Sequence, residues 1–224
     1  MKKRQLKNLL YEQVSRVGKA VSSPKRLELL ELLAQSEKTV EMLASELSAD
    51  IKLTSAHLKA LKDARLATSR REGKYRFYAL SGPDVATLWV FLRQVAEGHL
   101  LELKQALDQM IADPKMLTHL GRDSLLERAR LGDVILIDVR PRAEYDAAHL
   151  PHARSMPLAE IEQRLSELPT DREIVAYCRG PFCLFSEEAT TLLAARGYRV
   201  SKTLDGVSEW RAAGFAVETA EAAL

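Results

Sequence analysis

Residues 134–137 (Val-Ile-Leu-Ile) and 174–177 (Ile-Val-Ala-Tyr) are apolar without interruption, and patterns of helical spacing lie between and after them. A strand with no polar face must be buried on both sides, and strands separated by helices pair in parallel. This half of the chain is therefore restricted to a parallel sheet with helices on both faces. The alternation continues with helices expected over 123–130, 142–147, 159–165, 186–196 and 207–212, and with further strands near 153–155 and 200–204. In such a sheet, reactive groups gather beyond the carboxyl ends of the strands.

None of this pattern occurs in the first half. Asp113-Pro114-Lys115 punctuates the chain, since proline stops a helix. At 224 residues the chain suits two domains, each able to bury its own core, and the division is expected as 1–112 and 113–224. The halves differ in charge: residues 1–112 hold 19 Lys and Arg against 13 Asp and Glu, a net +6, while residues 113–224 hold 14 against 18, a net −4. The first half is thus the expected binder of a polyanion. No apolar run approaches the roughly 20 residues of a membrane span, and the basic start Met1-Lys2-Lys3-Arg4 leads into an amphipathic pattern rather than a signal-peptide core. The expectation is a cytoplasmic protein with no membrane partner. In a reducing compartment the two cysteines, Cys178 and Cys183, argue against a permanent structural disulfide and allow a transient redox pair.

Leu6, Leu9, Leu10, Val14, Val17 and Val21 recur at helical spacing and predict a first helix. Ser23 and Pro24 then read as the N-cap and first position of a second helix, which carries Leu27, Leu29, Leu30, Leu32 and Leu33. A third helix holds Val40, Leu43, Ala44 and Leu47. After Ser48-Ala49-Asp50, a fourth runs over about 53–64. Its Leu58 and Leu61 face inward, whereas Lys52, Ser55, Lys59 and Lys62 form a polar, mostly basic stripe. Two alternating segments flank Glu72-Gly73, predicting a hairpin with a basic tip. Helix-turn-helix followed by a basic hairpin is a winged helix, so the first domain is expected to be mainly α. On this geometry Lys52, Thr54, Ser55, His57 and Lys59 face the major groove of double-stranded DNA, and Arg70, Arg71, Lys74 and Arg76 reach phosphates or the minor groove. For any one basic residue a solvated helix face is the alternative, and His57 reads equally as a packed helix residue.

Ser23-Pro24-Lys25-Arg26-Leu27 with Leu29-Leu30 and Leu32-Leu33, then Ser55-Ala56-His57-Leu58-Lys59-Ala60-Leu61, then Arg70-Arg71-Glu72-Gly73-Lys74, resemble the ArsR family of bacterial winged-helix repressors over about residues 10–110. The resemblance implies an operator DNA partner and a homodimer whose first and last helices pack between protomers. The long helical pattern over 83–111, with Val85, Leu88, Trp89, Leu92, Val95 and Ala96, is where that contact is expected. Many relatives sense metals, but Thr39-Val40-Glu41 stands where a cysteine pair would be. His99, Glu102 and Asp84 make a poor zinc set, since Ala86 occupies the place of a further ligand. No metal and no cofactor are expected.

Cys178 immediately follows the apolar run 174–177, which puts it at a strand's carboxyl end. The next helix, with Ser186 as its expected N-cap and Glu187 and Glu188 in its first turn, would turn amides and a positive dipole end toward the sulfur. Such an environment favours the thiolate, which is the nucleophile; an inert buried cysteine is the alternative. Leu136-Ile137-Asp138-Val139-Arg140, Glu144-Tyr145, His149-Leu150-Pro151-His152-Ala153 and Leu204-Asp205-Gly206 with Trp210 resemble the rhodanese family over about residues 117–218. Ala148 stands where a glycine is usual. The resemblance implies that Cys178 carries a persulfide or attacks an oxyanion, and that Asp138 and Arg140 mainly brace the loop.

The cysteine loop departs from the enzyme pattern. It is about two residues longer than usual, and Cys183, Leu184 and Phe185 stand where a cation would bind an anion, leaving Arg179 as the nearby cation. That weakens the case for turnover, which needs stabilisation of developing charge. The second sulfur offers instead a route from a Cys178 persulfide to a disulfide, with Pro181 biasing the chain to a turn. Cys178, Cys183 and Arg179 are the candidate reactive residues. Three functional readings follow: a repressor whose second domain senses a sulfane-sulfur donor or an oxidant, an active sulfurtransferase fused to a DNA-binding domain, and a second domain that serves only dimerisation or partner binding.

Overall fold

The computed structural model describes residues 3–111 and 113–220. Met1 and Lys2 of the basic start, Ala112 at the expected boundary and residues 221–224 lie outside the described residues. The chain forms two compact units, Met1–Trp89 and Val90–Leu224, so the division between units falls inside a helix, ahead of Asp113.

The first unit contains α1 (Lys3–Val21), α2 (Pro24–Gln35), β1 (Lys38–Thr39), α3 (Val40–Glu46), α4 (Ile51–Asp63), β2 (Ala67–Glu72), β3 (Tyr75–Leu80) and the start of α5 (Pro83–His99). Leu29 and Leu30 of α2, Leu43 of α3, and Leu58 and Leu61 of α4 have no exposed surface and form its centre. Each such side chain contributes about 1.5–3 kcal/mol on burial. β2 and β3 form an antiparallel hairpin with Glu72 opposite Tyr75, so Gly73 and Lys74 make a two-residue turn, and Gly73 takes the positive φ (58°) that such a turn requires. This is a winged helix-turn-helix, as the helical spacing and basic hairpin predict.

Local chemistry moved several boundaries. α4 begins before residue 53 because the Asp50 carboxylate accepts from the amides of Lys52 (2.7 Å) and Leu53 (3.3 Å), capping the helix. Ser23 sits at the N-cap of α2, but its side chain makes no capping bond. β1, which pairs with β3 to give the sheet order β1-β3-β2, is only two residues long and leaves no periodic signal. The long helix expected over 83–111 is two helices, α5 and α6 (Leu101–Met110), with Leu100 between them in extended conformation. Gly98, a weak helix former, lies just before the break.

The second unit continues through a 3-10 turn at Pro114–Met116, then α7 (Arg122–Leu131), β4 (Val134–Asp138), α8 (Arg142–Ala147), β5 (Arg154–Ser155), 3-10 turns at Leu158–Gln163 and Leu165–Glu167, β6 (Glu173–Tyr177), α9 (Phe185–Ala195), β7 (Val200–Lys202) and α10 (Val207–Ala212). The α-helix expected over 159–165 is therefore 3-10. Four parallel strands run in the order β5-β4-β6-β7, as the unbroken apolar runs require. Alternate residues of a strand serve opposite faces. Ile135, Ile137, Ile174 and Ala176 pack with Ala189 and Leu193 of α9 on one face; Val134, Leu136, Val175 and Tyr177 pack with Leu125 of α7 and Trp210 of α10 on the other. Cys178 continues the period of β6 and joins the α9 face.

Candidate functional site

On α4, Lys52, Ser55 and Lys59 are exposed and His57 is half-buried. Thr54 departs from its expected role: it is completely buried and its hydroxyl donates to the Asp50 carbonyl at 3.0 Å. The reason is helical geometry, since Thr54 lies on the same face as Leu58 and Leu61. Lys59 pairs with Asp63 at 2.9 Å, and the hydrogen bond and charge of that carboxylate hold its ammonium above the usual lysine range. Lys62 donates to Ser69 Oγ at 2.9 Å and ties α4 to β2.

In the hairpin, Arg71, Lys74 and Arg76 are exposed at or beside the turn. Arg70 differs from them. Its Nε donates to Glu37 at 2.9 Å, its terminal nitrogens bond Glu37 and Glu72, and its guanidinium lies 4.5 Å from the Phe77 ring centroid. A phosphate would have to compete with two carboxylates for it.

The thiol site lies at the carboxyl end of β6. Cys178 is buried, and its sulfur is bonded to that of Cys183, with 6.4 Å between the Cα atoms. The ring closes through a turn in which the Cys183 amide donates to the Gly180 carbonyl at 3.1 Å, with Pro181 and Phe182 at the corner. Gly180 adopts φ 136°, and a Cβ there would lie 3.0 Å from Glu209 Oε1. Gly206 is equally constrained, for its Cβ would meet the Cys178 carbonyl oxygen at 2.6 Å. The cysteine loop therefore rests with its backbone directly on the start of α10. α9 begins at Phe185, with Leu184 rather than Ser186 at the N-cap and no side-chain cap; Ser186 is buried inside the first turn, its carbonyl accepting from Thr190 Oγ1 at 2.9 Å.

Arg179 is engaged rather than directed at a substrate. Its Nε and Nη2 donate to both oxygens of Glu144, at 3.0 and 2.6 Å, and its guanidinium lies 5.3 Å from the Phe185 ring centroid. Glu144 is completely buried at the start of α8. Below it, Arg140 donates to Asp138 (Nε–Oδ1 2.9 Å, Nη2–Oδ2 2.5 Å) and to the Ala148 carbonyl (2.7 Å), all fully buried. Tyr177 Oη donates to Asp138 Oδ2 at 2.6 Å and accepts from the Leu150 amide at 3.0 Å. Burial first, and the Asp138 charge second, push the phenol well above the usual tyrosine range, so it stays a donor. Buried charges persist only when paired and hydrogen-bonded, and this network meets that condition.

One cation at the loop escaped sequence reasoning. Arg93, on the part of α5 that belongs to the second unit, donates from Nη2 to Glu209 Oε1 at 2.8 Å and from Nη1 to Glu97 at 3.0 Å. Its guanidinium lies 5.6 Å from the Phe182 ring centroid, and its side chain is 2% exposed. Glu209 also accepts from the Gly206 amide at 2.9 Å. Burial raises the Glu209 carboxyl above the ordinary range, against the opposing pull of Arg93. The sequence signal was an arginine spaced four and three residues after the apolar Trp89 and Val90, but its partner lies 116 residues away. Among the described residues no group of three or more His, Cys, Asp or Glu is placed to hold a metal.

Residues 23–69 match the bacterial regulatory protein arsR family, and residues 122–213 match the rhodanese-like domain. The chain is 42% identical over 212 residues to the HTH-type transcriptional regulator Rv0324 of Mycobacterium tuberculosis, spanning 95% of this chain and 93% of that protein. Its second half is 34% identical over 108 residues to a sulfurtransferase of Allochromatium vinosum, 47% of this chain and 99% of that one. Among solved structures, the homodimeric winged helix-turn-helix DNA-binding domain (fragment 1–100) of Mb0332 from Mycobacterium bovis is 43% identical, with a TM-score of 0.41, and covers 43% of this chain and 89% of that one. This chain belongs to the arsR family of bacterial regulatory proteins, in a form whose winged helix-turn-helix half is followed by a rhodanese-like domain.

Proposed function

We propose that this protein is a dimeric, DNA-binding transcriptional repressor whose rhodanese-like domain, within 113–224, senses reactive sulfur or oxidants through Cys178 and Cys183. The observation that carries the reading is the bonded pair of sulfurs at the end of β6, in a loop whose own arginine is held by Glu144. A loop built to turn over an anionic donor needs a cation for the developing charge; a second thiol in the loop lets a modified Cys178 resolve to an internal disulfide that reduction reverses.

The chemistry balances with a hydrogen disulfide as oxidant. The Cys178 thiolate attacks H2S2, forming a persulfide as the donor S–S bond breaks and HS⁻ leaves. The Cys183 thiolate then attacks the inner sulfur of that persulfide, forming the disulfide and releasing a second HS⁻. Two thiolates are oxidised and the donor is reduced to two hydrosulfide ions.

Residues 1–112 supply DNA binding and dimerisation. Lys52, Ser55, His57 and Lys59 approach the major groove; Arg71, Lys74 and Arg76, with Arg70 once it leaves Glu37, reach the backbone. Dimerisation is supported by apolar surface: Leu10, Tyr11 and Val14 on α1 are 59%, 67% and 69% exposed, and Phe91 and Val95 on α5 are 53% and 60% exposed. No described helix is long and apolar enough to cross a membrane, and the proposed work on DNA belongs in the cytoplasm.

The test uses the full chain and a duplex selected by it from a random library. Affinity is measured at one salt concentration for the dithiothreitol-reduced protein and after disodium disulfide, with Cys178→Ser as control. The expected result is a change of about 5- to 150-fold in the wild type and none in the variant; equal affinity in all states overturns the sensing reading. A second reading, an active sulfurtransferase, is favoured by the likeness of the second half to the Allochromatium protein along nearly its whole length. Sustained turnover with thiosulfate and an acceptor thiol supports it, whereas a single burst that stops supports the sensor.

A further inference from the structure

We infer that Arg93 is the residue through which the state of the cysteine loop reaches α5, a positioning role that rests on the sensing reading above. Two contacts connect the loop to this arginine. Phe182 lies inside the ring closed by Cys178 and Cys183 and places its aromatic face 5.6 Å from the guanidinium. On the other side, Gly180 packs so closely on the Glu209 carboxylate that even a methyl group would crowd it, and Glu209 binds Arg93 at 2.8 Å.

The arrangement is sensitive to opening of the ring. With the sulfurs bonded, the four residues between them are held in one turn; with the bond broken, Phe182 and Gly180 are released together and a thiolate or persulfide adds negative charge beside them. Arg93 Nε is buried and has no hydrogen-bond partner among the described residues, so the guanidinium keeps a donor for a second arrangement. A buried pair that has lost one contact is costly, and the helix that carries it has to adjust. Arg93 lies among the exposed Phe91, Leu92 and Val95 of α5, and a shift of Arg93 moves those apolar residues with it. They belong to the surface proposed above for dimerisation, which sets the spacing of two recognition helices on DNA.

The experiment compares full-length wild type, Arg93→Met and Phe182→Leu, each reduced and each treated with disodium disulfide, reading intact mass and affinity for the selected duplex in parallel. A loss of about 2 Da reports the disulfide and a gain of about 32 Da a retained sulfur. The expected result is the same mass change in all three proteins, with a 5- to 150-fold affinity ratio in the wild type that collapses to about one in Arg93→Met and shrinks in Phe182→Leu. A wild-type ratio retained in Arg93→Met with modified cysteines overturns the inference. So does loss of cysteine modification in that variant, which would make Arg93 a determinant of thiol reactivity. If Arg93→Met fails to fold, Glu209→Gln takes its place under the same criteria. A wild-type ratio of one with modified cysteines fails the sensing reading itself, and the two failures are thereby distinguished.

Discussion

The DNA-facing surface and the cysteine loop are built from the same residue types in opposite ways. On α4 and the hairpin, the cations Lys52, Arg71, Lys74 and Arg76 stand in solvent. Around the loop, Arg93, Arg140 and Arg179 are withdrawn from water and each is matched by a carboxylate. Exposed charge is inexpensive to display and available to a polyanion; buried charge must be paired and is then available chiefly to hold structure. The first surface can vary its charges with little effect on stability, whereas the second cannot.

Removing one member of a buried pair should have the largest effect. Asp138→Ala removes the carboxylate that Arg140 and Tyr177 both bind, and should cost about 3–5 kcal/mol, read as a lower denaturation midpoint of the second unit. A loss below about 1 kcal/mol would remove the contrast between the regions. The converse experiment is Lys52→Ala with Lys59→Ala. Stability should stay within about 0.5 kcal/mol, while the slope of log affinity against log salt falls by about two. An unchanged slope would show that the helix face is merely solvated.

Glu209 sharpens the comparison through pH. Its folded carboxyl is raised above the ordinary 4.5, by burial more than Arg93 lowers it, with Asp205 adding repulsion. The folded state then holds a proton that the unfolded state loses first. The stability of wild type relative to Glu209→Gln should be greatest below pH 4.5 and decline as pH rises through the folded value; paired denaturation curves across that range check the sign. The smallest effect should come from Glu37→Gln. The Glu37 carboxyl is held below its usual range, first by its hydrogen bond to Arg70, and neutralising it loosens Arg70 toward phosphate. DNA affinity at low salt should rise severalfold or less, and a fall would mean that Glu37 instead presents Arg70 correctly.

Regions dominated by local signals are legible in the amino-acid sequence. α8 and α10 lie at the expected 142–147 and 207–212, and the alternating faces of β4 and β6 follow from unbroken apolar runs. What was not legible was set by partners distant in sequence or by elements too short to show a period. β1 is two residues stabilised only by pairing with β3, and residues 158–163 adopt 3-10 turns where apolar spacing alone suggests an α-helix. Docking geometry puts Thr54 on the DNA side with its neighbours on α4, yet its hydroxyl satisfies itself on the carbonyl one turn back, which lets it join the core.

By itself, the amino-acid sequence determined two folds, the basic face of α4, the basic hairpin and the place of Cys178 after a buried strand. These depend on periodicity, capping and turn chemistry, all of which act between near neighbours. Only the tertiary structure decided that Arg179 is held by Glu144, that Glu209 crowds Gly180, and that Arg93 comes to lie beside Phe182. A buried charge takes whichever opposite charge the packed fold brings within hydrogen-bonding distance, and that pairing leaves no periodic mark along the chain.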